Sequence, residues 1–166
     1  MHPIRDGAPW EELTVAVRAL RDAREPTVAL GIIGDSMNRL IGSRMFTFLR
    51  FDHARFEMRR LYCTRADRYP VGARKPMRRG PWFECVVDRG EVFIASGERE
   101  MLATFGDAAA LAELGCTSSM CVPVRHLGRT LGTMNLNGVA GAYDEHAATI
   151  ALPFAMLAVP ALLASA

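Results

Sequence analysis

The sequence predicts an α+β domain with one antiparallel sheet of about five strands and helices on both faces. Two segments near the start repeat apolar residues at helical steps. Two later pairs of strand-like segments are each joined by a short turn. A Gly- and Pro-rich stretch between those pairs leads into further helix. Strands joined by short turns pair antiparallel, because a parallel pair needs a long crossover. The chain has 166 residues, half of them hydrophobic, which is one domain (1–166) with enough apolar side chains for a core.

Pro9 suits a first helical position, and Trp10, Leu13, Val17 and Leu20 follow at steps of three, four and three. Pro26 opens a second helix, where Leu30, Ile33, Met37 and Leu40 repeat those steps before Gly42 stops it. Arg44–Phe51 and Phe56–Cys63 read as strands around a turn at Asp52–His53–Ala54. Arg65–Gly80 carries Pro70, Gly72, Pro76 and Gly80 and reads as a long loop, of the kind that serves as a lid or binding element. Trp82–Asp88 follows as a short helix and Val92–Ala95 as a short strand. A helical stretch from about Glu98 to Leu114 is split near Gly106. Ser118–Val124 and Thr130–Leu136 form a second hairpin, and a last helix begins near Tyr143.

The formal net charge is only +2, but Arg44–Arg79 alone holds 11 basic and 3 acidic residues, a net of +8. That is too local for a nucleic-acid binder and compatible with an anion site. No secretory leader pattern is present, because Trp10–Glu11–Glu12 interrupts the start, so the cytoplasm is the expected compartment. Cys63, Cys85, Cys116 and Cys121 have no CxxC spacing and read as reduced thiols. The 20 uncharged residues Ala147–Ala166 match a membrane span in length. Eight alanines, two prolines and the lack of a basic flank favour a buried or interfacial helix instead.

The segment Ser118–Ser119–Met120–Cys121–Val122–Pro123–Val124, then Gly128, then Leu131–Gly132–Thr133–Met134–Asn135–Leu136, resembles the end of a GAF domain. The resemblance runs from the helix at Pro26 to the last helix. Tyr69–Pro70–Val71–Gly72, Lys75–Pro76 and Trp82 resemble a subgroup of small stand-alone bacterial GAF proteins. It implies the α+β architecture above and a non-catalytic small-molecule sensor, with no cofactor and no metal. Cyclic-nucleotide-binding members carry a Phe before an Asp-Glu pair, and none stands at that spacing before Asp144–Glu145. Bilin-binding members use a Cys-His pair, which is absent. The free methionine-sulfoxide reductases of the family need paired reactive thiols. Cys116 and Cys121 lie near the right region, but an acidic residue of that subclass is replaced within Ser119–Met120–Cys121. A thiol reductase of small oxidised metabolites is therefore an alternative function, and a ligand-free interaction domain is another.

Asn135 is unfavourable inside a strand, so its amide is either bonded structurally or lines a pocket. With Leu127–Gly128 as turn residues it falls opposite Met120, with Thr133 opposite Val122. A one-residue shift sets these two opposite Ser119 and Cys121. Tyr69, Trp82, Phe83 and Phe105 are candidate apolar walls of a ligand pocket, as core packing or as contact residues. Lys75 and Arg79 are the candidate anion-binding residues within the cationic loop. Ser119, Cys121, Thr133 and Asn135 are candidates for orienting the ligand. The helix within residues 1–25 is expected to form a homodimer, since its apolar stripe and the uncharged terminal helix together exceed what one sheet face covers. No membrane partner is expected.

Overall fold

The computed structural model describes residues 8–165, where two helices, α1 (Ala8–Asp22) and α2 (Pro26–Leu40), lead into the sheet. Residues 1–7 of the expected N-terminal segment, with His2, and Ala166 lie outside the described residues. In α2 the repeat lands as expected: Leu30, Ile33 and Met37 are completely buried. The helix stops where Gly42, at φ 86°, donates its N–H back to the Met37 carbonyl.

The face expected for α1 is rotated. Ala16 is buried with Leu13 and Leu20 beside it, whereas Trp10 and Val17 are exposed. The polar contacts of Glu12 fix that rotation. Its Oε1 accepts from Ser36 Oγ at 2.7 Å and from Arg39 Nη2 at 2.6 Å, both on α2.

Six strands form one sheet, not five: β1 (Met45–Asp52), β2 (Glu57–Cys63), β3 (Arg74–Pro76), β4 (Phe93–Ala95), β5 (Ser118–His126) and β6 (Arg129–Gly138). The order is β3-β2-β1-β6-β5-β4, antiparallel throughout. The additional strand is β3, inside the stretch expected to be all loop. It pairs at the sheet edge, the place where a proline such as Pro76 is tolerated.

Both anticipated registers of the second hairpin are displaced. The turn is Leu127–Gly128, with φ of 48° and 77°, but a bulge between Val124 and Arg125 shifts the pairing beyond it. Asn135 therefore faces Cys121, and Thr133 faces Pro123.

One face of the sheet carries the main core. Phe46, Phe48, Met120, Val122, Met134 and Leu136 pack there against α1, α2, α6 (Glu145–Leu157) and α7 (Val159–Ala164). Asp144 caps α6, its carboxylate accepting from the Ala147 N–H at 2.9 Å, which places the helix start two residues beyond Tyr143. The uncharged stretch is thus two short helices, and no helix among the described residues is long and apolar enough to cross a membrane.

The other face is roofed by α3 (Pro81–Phe83), by a π-helical continuation over Glu84–Arg89, and by α4 (Glu98–Thr104) and α5 (Ala108–Glu113). Gly106 lies between α4 and α5, as the sequence suggests. Between this roof and the sheet is a cavity.

Candidate functional site

Strand alternation builds the cavity floor. Met45, Thr47 and Leu49 on β1, Ser119 and Cys121 on β5, and Asn135 and Asn137 on β6 share the face opposite the main core. Met58 and Arg60 add β2, and Lys75 and Pro76 add β3. The segment Arg78–Phe83 and the α4–α5 connection from Ala103 to Asp107 close it above. The cavity, open on one side to solvent, has a volume of about 630 Å³, within the size range of small-molecule sites.

Nine of the ten candidate residues stand on this wall: Tyr69, Lys75, Arg79, Trp82, Phe83, Phe105, Ser119, Cys121 and Asn135. Thr133 does not. It lies between Leu49 and Pro123 in the sheet, completely buried, where Leu49 packs with Trp82 and Phe83. The aromatic residues divide into two clusters. Tyr69, Phe93 and Phe105 flank one, and Trp82, Phe83 and Phe56 belong to the other.

The polar floor is partly self-satisfied. Asn135 Nδ2 donates to Thr47 Oγ1 at 3.1 Å, and Asn137 Nδ2 donates to the Met45 carbonyl at 3.3 Å. Asn135 is therefore both a bonded structural amide and part of the wall. Ser119 Oγ lies 3.7 Å from Cys121 Sγ. Burial pushes the Cys121 thiol up, partly offset by Ser119, and burial is also the leading cause of the upward shifts of Cys63, Cys85 and Cys116.

Four buried side-chain polar atoms have no hydrogen-bond partner among the described residues: Arg60 Nε, Tyr69 Oη, Trp82 Nε1 and Thr133 Oγ1. Three belong to residues on the cavity wall, and Thr133 is on the same face of the sheet. Such groups cost roughly 1–3 kcal/mol each when unmet, so their gathering at one place needs a reason.

The charges of the Arg65–Gly80 stretch separate into two sets. Arg65, Arg68 and Arg74 form ion pairs with Asp67, Glu113 and Glu57. Lys75, Arg78 and Arg79 line the cavity with Arg60, against Asp107 as its one carboxylate. Lys75 Nζ is 3.8 Å from Asp107 Oδ2, and the Arg79 guanidinium lies over the Phe56 and Phe83 rings at 5.6 and 5.0 Å. Burial, with Asp107 nearby, pushes the Tyr69 phenol up to about 12, so it remains a donor at neutral pH.

The GAF domain model matches residues 23–162, nearly the whole chain. The chain belongs to the GAF domain family. Among solved structures, this GAF domain is similar to that of an Acinetobacter phosphoenolpyruvate-protein phosphotransferase, at TM-score 0.75 and 12% identity, covering 97% of this chain and 96% of that one. It is similar to the chromophore-binding domain of an unusual bacteriophytochrome from R. palustris, at TM-score 0.72 and 11% identity. That match covers 99% of this chain but 64% of the phytochrome fragment, so the GAF domain spans less than two thirds of it. A third likeness is to free methionine-R-sulfoxide reductase from Neisseria meningitidis in complex with its substrate, at TM-score 0.64 and 16% identity, covering 99% and 98% of the two chains. At these identities the likeness is one of fold. No curated protein matches the sequence.

Arg60, Asp107, Thr47 and Asn137 are wall residues that the sequence does not single out. Asn137 had a usable signal, standing two residues beyond Asn135 and so on the same face of the strand. Thr47 becomes visible only through its pairing with Asn135, and Asp107 only through the approach of Lys75.

Proposed function

We propose that this GAF domain is a non-catalytic small-molecule sensor whose cavity takes an anionic metabolite with an apolar or aromatic body. GAF domains are typically ligand-binding or signalling modules, which supports the general class. The observation that carries the finer reading is the charge of the cavity wall, where Arg60, Lys75, Arg78 and Arg79 stand against Asp107. The aromatic clusters supply walls for an apolar body, and the unmet buried donors favour an occupied cavity over a ligand-free interaction domain.

The fold likeness to a methionine-sulfoxide reductase raises a thiol enzyme as a second reading. The nucleophile of such chemistry is the thiolate, and burial pushes all four thiols away from that form. This supports the non-catalytic reading. Four free thiols also suit a reducing compartment, and we assign the cytoplasm.

The test is a metabolite-library thermal-shift screen at low and high salt. Stabilising hits should be anions, weaker at high salt, and weakened further in the Lys75→Ala, Arg79→Ala double variant. Hits that are all neutral or cationic, or turnover of free methionine sulfoxide with a thiol reductant, would overturn the proposal.

A further inference from the structure

The cations around the cavity are not equivalent. Arg78 and Arg79 are exposed, and Lys75 is half-buried beside Asp107. Arg60 is the buried one, at 9% exposure. It reaches the cavity because the β1–β2 pairing skips a residue: Leu49 pairs with Arg60, and Phe48 with Tyr62. That bulge sends both Leu61 and Tyr62 to the main core and leaves Arg60 on the cavity side.

The surroundings of Arg60 leave its charge unmet. Nη1 donates to the Pro70 carbonyl at 3.1 Å, and the guanidinium stacks over the Tyr69 ring at 5.1 Å. No carboxylate pairs with it among the described residues, and Nε has no partner. A carbonyl and a ring face offset only part of the cost of burying a guanidinium. Beside it the Tyr69 hydroxyl is also buried and unmet, and it stays protonated at neutral pH. Both free groups are donors, and both belong to residues that line the cavity. One buried positive charge with two adjacent donors asks for one negative charge on paired acceptor oxygens. Lys75 already stands beside Asp107, and Arg78 and Arg79 are exposed, so Arg60 is the buried cation left to meet an anion. The second charge of a phosphate dianion would find no buried partner.

We propose that Arg60 and Tyr69 anchor the ligand's carboxylate, and that the cavity takes a monoanionic carboxylic acid with an apolar or aromatic body. This rests on the ligand-binding reading above and goes further by naming the anchor and the anion. The body would run from the Tyr69–Phe105 cluster toward Trp82 and Phe83.

The test uses the full chain with phenylacetate, indole-3-acetate and octanoate, each titrated beside its primary amide, and with phenyl phosphate as the phosphorus control. At least one carboxylate should bind about tenfold or more tightly than its amide, the scale of a charged hydrogen bond. Arg60→Gln should remove that preference, and Tyr69→Phe should weaken the carboxylate by about three- to tenfold. Should Arg60→Gln fail to melt cooperatively, Arg60→Lys carries the test, because it keeps the charge and loses the fork. Unchanged carboxylate binding in that variant and in Tyr69→Phe overturns the anchor. A preference that survives Arg60→Gln but disappears in the Lys75→Ala, Arg79→Ala variant also overturns it, while the anionic reading stands. Phenyl phosphate binding more tightly than every carboxylate, or no carboxylate binding at all, overturns the assigned ligand class. Binding of the amides alone defeats both proposals.

Discussion

The Thr130 hydroxyl lies 3.2 Å from the Val86 carbonyl and 3.1 Å from that of Val87. These carbonyls belong to the π-helical segment, a rare form in which each turn closes through i→i+5 bonds, and Thr130 is 1% exposed. Replacing Thr130 by Val keeps the shape and removes the hydroxyl, along with the acceptor of an Arg125 N–H at 3.2 Å. The expected loss is about 1–3 kcal/mol in urea unfolding, with an unchanged circular dichroism spectrum. No loss would mean that the hydroxyl does not hold the roof to β6. At this scale the sequence revealed chemistry better than position. Asn135 stood out because an amide inside a strand needs a partner, and it has one in Thr47. Lys75 and Arg79 stood out as part of a cationic loop. Arg60 did not, because it adjoins Arg59 in a strand, and only the bulge decides which of the two faces inward. Thr133 shares the face of Asn135 by strand alternation, but its place between Leu49 and Pro123 was not legible. Its cross-strand neighbours depend on a register that the turn residues alone do not set.

Between elements, the fold depends on a few contacts of defined chemistry. Glu12 ties α1 to α2, and its hydrogen bond with Arg39, helped by that with Ser36, holds its carboxyl below the usual range despite partial burial. A carboxyl whose pKa falls on folding adds stability above its unfolded value, about 4.3, and loses it as pH falls through the lower folded value. Glu12→Gln should therefore cost about 0.5–1 kcal/mol at pH 7, discounted for the exposure of Arg39, and the gap from the parent should close below about pH 4. Urea titrations across that range check the sign, and a gap that widens in acid would be wrong for this linkage. A second contact is the close approach of β1 to β6 at Gly132. A Cβ on Gly132 would lie 2.0 Å from the Leu49 carbonyl oxygen and 3.0 Å from Arg50 Cα, and backbone cannot yield as a side chain can. Gly132→Ala should lower stability by about 3 kcal/mol or more, measured by thermal and urea unfolding, since it forces the central strands apart. The helices and the long strands were legible because their periods, 3.6 and 2, extend over many residues. β3 was not, because three residues ending in a proline carry no period. The face of α1 was not legible either. Its rotation follows from small Ala16 against the core and from the Glu12 contacts, not from the largest apolar residues.

At the scale of the whole molecule, the rotation of α1 changes what an assembly surface would contain. Trp10 is 73% exposed, and Val17 is also outward. On α6 and α7, Leu152, Pro153, Met156, Pro160 and Leu163 follow one another at steps of one, three, four and three along the solvent side. No charged residue occurs from Ala147 onward, so a two-fold axis through this stripe would oppose no like charges from the stripe itself. Helix α1 packs against α6, which puts the exposed Trp10 helix beside the same side of the domain. Apolar surface of this kind is costly to leave in water, and a second copy of the chain meets it with an identical uncharged face. We therefore expect a homodimer at micromolar concentration, with the ligand cavity on the opposite side of the sheet and open to solution. Leu152→Glu with Met156→Glu should place like charges across the axis and yield a monomer with unchanged helix content. Sedimentation velocity measures both states. A monomeric parent protein with intact helices would defeat this assembly, as would a charged variant that remains dimeric.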